Sequence, residues 1–120
     1  MRRQVPAVAL AVLLLVGSLV PLPTGGGDAL PLVLGVALDK WVHALGYAAL
    51  AGLASWGRDA RSALALAAVL VAVAGYGAGI ELLQGPVPTR DTSALDALAN
   101  AVGTLAGGLA WLAVDRSNRR

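Results

Sequence analysis

The chain has 120 residues, 58% of them hydrophobic and 13% charged, with a mean hydropathy of +0.74, which leaves too little polar surface to coat a small soluble globule; residues 1–120 read as one membrane domain. It contains no Cys, which excludes disulfides, thiol nucleophiles and thiolate metal sites. The net charge of +2 and a pI near 9.7 do not point to nucleic acid, because the basic residues sit at the termini and in one short loop instead of forming a stripe between aromatics.

An apolar run over residues 5–20 follows Met1-Arg2-Arg3-Gln4 and is closed by Pro21-Leu22-Pro23. At roughly 24 Å as a helix it is short for a span, but usable with slight thinning of the bilayer. A cleaved signal peptide is the rival reading; the run is long for one and no Ala-x-Ala follows it, so a retained helix over about 5–21 is expected. Residues 25–28 form a small, polar loop. Residues 29–38 are apolar but started by Pro31 and interrupted by Gly35, either an interfacial segment or the beginning of the next helix.

The second expected helix, 40–56, has a Trp at each end and charges outside each, as in a helix anchored at two interfaces. Asp39, His43 and Tyr47 recur every four residues along it and form a polar ladder on one face. A short basic loop, Gly57-Arg58-Asp59-Ala60-Arg61-Ser62, leads to a third helix over 63–84, long enough to span. Gly85, Pro86 and Pro88 then turn the chain back. A fourth helix over 94–114 carries Asn100, Gly103 and Gly107 as a small-residue seam, with Trp111 marking its far end.

Four spans place Arg2, Arg3, Arg58, Arg61, Arg116, Arg119 and Arg120 on one side and Lys40 and Arg90 on the other. The positive-inside rule then predicts an all-α, polytopic helical bundle in the cell membrane with both termini inside. Asp39, Lys40, His43, Tyr47, Glu81, Gln84, Arg90, Ser93, Asp96 and Asn100 all fall in the extracytoplasmic half, with nothing comparable expected on the inner side.

Such a cluster is costly, since an Asp or Lys at mid-bilayer costs about 2.5–3.5 kcal/mol while an interhelical hydrogen bond returns about 0.6. Ordinary roles compete: Ser93 and Asp96 approach a capping box, Tyr47 and Trp41 suit an aromatic belt, and Lys40 suits an interface anchor. Glu81 is hardest to dismiss, because a carboxylate inside an apolar run at a helix C-terminus needs a partner or a proton. As chemistry, His43, Glu81 and Asp96 supply candidate catalytic groups, with Asp39 placed to hold the His43 tautomer and Arg90 to hold an anion. The same three residues are an alternative metal-ligand set. No nucleophile motif, zincin motif or phosphate loop is present, and no cofactor is implied.

The ordered set Asp39-Lys40-x-x-His43-x-x-x-Tyr47, Ile80-Glu81-x-x-Gln84 and Pro88-x-Arg90-x-x-Ser93-x-x-Asp96-x-x-x-Asn100-x-x-Gly103 resembles the VanZ-like family of small integral membrane proteins, over residues 39–114. The resemblance implies a helical membrane domain, in a family named for a member associated with resistance to the glycopeptide teicoplanin. It carries over Asp39, Lys40, Tyr47, Gln84, Arg90, Ser93 and Asn100 as ligand-binding positions beside the three catalytic candidates. The expected partners are the lipid bilayer and an amphiphilic envelope component, bound or modified. A structural subunit whose polar cluster only packs helix ends is the alternative. The inner half of the spans lacks the polar residues a transporter would need, and the Gly-rich seams permit homo-oligomers without requiring them.

Overall fold

The computed structural model describes residues 2–19, 32–86 and 94–120. Among them are four α-helices: α1 (Val5–Leu19), α2 (Leu38–Arg58), α3 (Ala63–Gln84) and α4 (Ala94–Asn118). A 3-10 turn over Arg2–Gln4 leads into α1, and an antiparallel hairpin of β1 (Leu32–Val33) and β2 (Val36–Ala37) leads into α2. The stretch around Gly35 is thus a hairpin, with Leu34 and Gly35 both at positive φ, 52° and 78°. Trp41 ties it to the helix by donating its indole N–H to the Val33 carbonyl at 2.9 Å.

Local chemistry sets the helix ends. The hydroxyl of Ser62 accepts from the Ala65 N–H at 3.1 Å and caps the start of α3. At the end of α2, Asp59 turns left-handed (φ 53°), and the Ala60 N–H reaches back to the Ser55 carbonyl at 2.9 Å. The basic loop is therefore shorter than expected, because α2 continues through Arg58.

Contacts between helices give their directions. His43 meets Asn100, while Trp111 meets the Ala60 carbonyl, so α2 and α4 run parallel. Tyr76 and Gln84 of α3 meet Ala11 and Ser18 of α1, so those two also run parallel, opposite to the first pair. This alternation gathers Arg3, Arg58, Arg61, Arg116 and Arg119 at one end and Lys40 and Asp96 at the other.

The tightest seam is between α2 and α4. A Cβ built on Gly103 would lie 2.1 Å from the Ala44 carbonyl oxygen, and one on Gly107 2.0 Å from that of Ala48. Only glycine lets the backbones touch there. Tyr47, Leu50 and Ala51 of α2 pack with Ala7 of α1 and Val73 of α3 in a small apolar core. Most large aliphatic side chains instead face outward, Leu64 and Leu82 of α3 at 81% exposure and Leu109 of α4 at 65%. An apolar exterior around a thin core is the arrangement of a bundle solvated by lipid.

By length and composition α1 with its leading turn, α3 and α4 are apolar enough to cross a membrane. Helix α2 is not among these three. Its 21 residues are long enough, but Asp39, Lys40, His43, Ser55 and Arg58 dilute its apolar character.

Candidate functional site

The polar residues of α2, α3 and α4 converge at the end of the bundle away from the arginines. Each is set on its helix by spacing. Asp39 and Lys40 occupy the first turn of α2, with His43 and Tyr47 one and two turns on, and Asp96 and Asn100 occupy the first two turns of α4. Because α2 and α4 run parallel in register, the two rows meet side by side.

Lys40 is the bridge at the rim. Its ammonium pairs with the Asp39 carboxylate at 2.8 Å and also with Asp96 across the seam. The Lys40 side chain is 21% exposed and that of Asp96 only 9%. Lys40 thus crosslinks the starts of two helices, a role that its reading as an interface anchor did not include. Water is largely excluded from the Asp96 side, so the pair carries more weight than one on an open surface.

One turn deeper, His43 Nδ1 lies 3.1 Å from the Asn100 side-chain oxygen. With that amide oxygen as acceptor, Nδ1 carries the hydrogen and Nε2 retains the lone pair. Asp39 was the expected orienting group; the structure turns it to Lys40 and gives the role to Asn100. The backbone carbonyl of Asn100 in turn accepts the Thr104 hydroxyl at 2.7 Å, a bond within α4.

Gly77 of α3 completes this level. A Cβ there would lie 2.9 Å from Tyr47 Cε1 and 3.4 Å from Asn100 Nδ2, so the missing side chain makes room for both. Tyr47 is buried at 2% exposure, which removes it from the aromatic belt proposed for it. Glu81, one turn above Gly77 on the same face, is buried at 8%. Gln84 is buried as well, and its amide donates to the Ser18 carbonyl of α1 at 3.1 Å, which brings the first helix to the rim.

The structure thus brings together Asp39, Lys40 and Asp96 in one ion-paired set, and His43, Asn100 and Tyr47 around Gly77. Arg90 and Ser93 lie outside the described residues. Among the described residues no group of three His, Asp or Glu side chains is arranged to hold a metal ion, so His43, Glu81 and Asp96 do not form the ligand set considered above. What the arrangement offers chemically is an imidazole with an oriented lone pair, a shared ammonium and several carboxylates gathered at one end of three helices.

The opposite end holds a cluster that the sequence reading passed over. Asp115, buried at 7%, accepts from Arg61 Nε at 3.1 Å and pairs with Arg119 one turn along. Arg61 also reaches Asp59 at 3.0 Å. The arginine-bearing end therefore carries its own buried carboxylate, where the sequence reading expected nothing comparable. The four-residue spacing of Asp115 and Arg119 was the available signal. Trp111, which marks the far end of the fourth helix in the sequence, is buried and donates to the Ala60 carbonyl at 2.9 Å, fastening the loop to α4.

Comparison with protein-family models, with curated proteins and with solved structures yields no match in any of the three.

Proposed function

We propose that this chain is a four-span membrane protein of VanZ-like type, with both termini in the cytoplasm, whose polar cluster forms an extracytoplasmic pocket that binds or modifies an amphiphilic cell-envelope component such as a lipid headgroup. The observation that carries the reading is the convergence of Lys40, Asp96, His43 and Asn100 across the α2–α4 seam at the end opposite the arginines. An ammonium held by two carboxylates recognises a zwitterionic or phosphorylated headgroup by exchanging partners with it. The lone pair on His43 Nε2 accepts a proton from a ligand hydroxyl or amine. Glu81 supplies a third carboxylate on the α3 side, Arg90 holds an anion from the connection before α4, and Gln84 and Asn100 orient.

The orientation follows from charge: the arginine-bearing end is cytoplasmic under the positive-inside rule, which places the polar cluster outside. Helix α2 becomes the fourth span in this arrangement because α4 covers its polar face.

A second reading is favoured by the same contacts. Because Lys40 with Asp96 and His43 with Asn100 pair across helices, the cluster can also serve packing alone, in a structural or accessory subunit. Native mass spectrometry with retained lipid separates the two. A defined anionic lipid or envelope precursor held by wild type and lost in Glu81→Gln and Arg90→Ala supports the pocket. Identical lipid patterns in all three proteins leave the packing role. Turnover of a lipid-linked substrate that His43→Ala abolishes, with the fold intact, makes the pocket an active site.

A further inference from the structure

A groove on the flank of the bundle lies apart from the polar pocket. Helices α1 and α3 are clasped at the level where the Tyr76 hydroxyl donates to the Ala11 carbonyl, and again at Gln84 and Ser18. Below Tyr76, toward the arginine-bearing end, they leave a wedge of about 620 Å3 floored by α2. Its walls are small: Ala7 on α1 and Ala65, Ala68 and Ala72 on α3. A leucine at any of these positions would take up space that alanine leaves open.

The dimensions and polarity of the wedge select its occupant. From Ala65 to Tyr76 it runs about 16 Å at 1.5 Å per residue, the depth of one leaflet of a hydrocarbon core about 30 Å thick. Its interior is apolar, while its open mouth carries Arg58, which is exposed and has no ion pair among the described residues. Arg3 stands at the same end, its guanidinium 4.9 Å from the Trp56 ring centre. An apolar slot one leaflet deep with a cation at its mouth is complementary to an anionic phospholipid: one acyl chain inside, the phosphate against Arg58.

We infer that this groove is a binding site for an anionic phospholipid of the leaflet on the arginine side. The inference shares with the proposed function only the placement of the chain in a membrane, and uses none of the residues of the polar pocket. The test is photocrosslinking in vesicles of phosphatidylcholine containing either phosphatidylglycerol or further phosphatidylcholine with a photoreactive acyl chain. The crosslinked residues are mapped by mass spectrometry. Labelling is expected to concentrate on the facing sides of α1 and α3 and to fall when Ala68→Leu or Ala72→Leu fills the wedge. Both alanines are exposed, so these variants retain the bundle. Arg58→Gln is expected to reduce the preference for phosphatidylglycerol about fivefold, as for loss of one basic residue at an anionic surface. Labelling spread evenly over the outward faces of α1, α3 and α4 and unchanged by Ala72→Leu overturns the site. Equal labelling by both lipids overturns the headgroup assignment. Retention of lipid by Ala72→Leu in the native mass spectrum reports on the polar pocket separately, so failure of one proposal is not failure of the other.

Discussion

Gly107 of α4 rests against Ala48 of α2 so closely that an added methyl carbon would stand 2.0 Å from the Ala48 carbonyl oxygen. Gly103 stands in the same relation to Ala44 one turn earlier, and the obstacle in each case is backbone. Gly107→Ala and Gly103→Ala should therefore force α2 and α4 apart and destabilise the bundle by about 1–3 kcal/mol, the usual cost of overpacking. Gly75→Ala and Gly79→Ala, which meet nothing within 4 Å, should be neutral or slightly stabilising. Unfolding in mixed micelles, followed by circular dichroism, compares the four variants directly.

Lys40 and Asp96 test how much of the polar cluster is packing. Lys40→Met leaves Asp96 among helices without its cation and should cost about 3 kcal/mol, the low end for a broken buried pair because Lys40 keeps some access to solvent. Adding Asp96→Leu should recover most of that loss, since an apolar pair of similar volume replaces the ions. If the double variant is stable yet retains no headgroup ligand, the ion pair serves recognition more than folding. A double-mutant cycle in denaturant and the native mass spectrum of each variant give both numbers.

The tautomer of His43 is open to direct observation because it is the single histidine. With Nδ1 donating to Asn100, nitrogen-15 NMR above the imidazole titration should show a protonated Nδ1 and an imine-type Nε2. Asn100→Ala should abolish that preference. A wild-type spectrum with the hydrogen on Nε2 would remove His43 Nε2 as the proton acceptor.

At the other end, Trp111→Phe deletes the donor to the Ala60 carbonyl while keeping most of the ring volume. A loss of about 1 kcal/mol is expected, with faster amide exchange at Ala60, whose N–H is bonded to Ser55. Unchanged exchange there would mean that the Arg61–Asp115 contact holds the loop alone.

The parts legible in the sequence were those with strong local signals. The start of α3 after Ser62 and its end at Gln84 fell where the apolar run and its flanking loop put them, and the small-residue seam on α4 proved to be a contact surface. The cross-helix partners of Lys40 and Trp111 were not legible, because an anchoring lysine and a tryptophan at a helix end look the same in sequence whether or not a neighbouring element supplies Asp96 or the Ala60 carbonyl. Tyr47 was ambiguous for the same reason, its burial depending on a glycine thirty positions on in another helix. The hairpin was hidden because Leu34-Gly35 lacks the Asn-Gly or Asp-Gly signature, and Leu at positive φ is seldom assigned to such a turn. Of the site, spacing supplied the faces but not the pairing, which needed the parallel register of α2 and α4.

That register has a consequence for how the molecule is made. In a chain synthesised from its N-terminus, α2 emerges well before α4, yet its charged first turn and its glycine-facing surface have no counterpart until Asp96, Gly103 and Gly107 are translated. During that interval the least apolar of the four helices is exposed without its companion. Nascent chains halted before α4 should hold α2 loosely, accessible to aqueous thiol reagents at engineered cysteines, and full-length chains should hide the same positions. In the proposed four-span arrangement, commitment of the second helix to the bilayer would be decided by the arrival of the last.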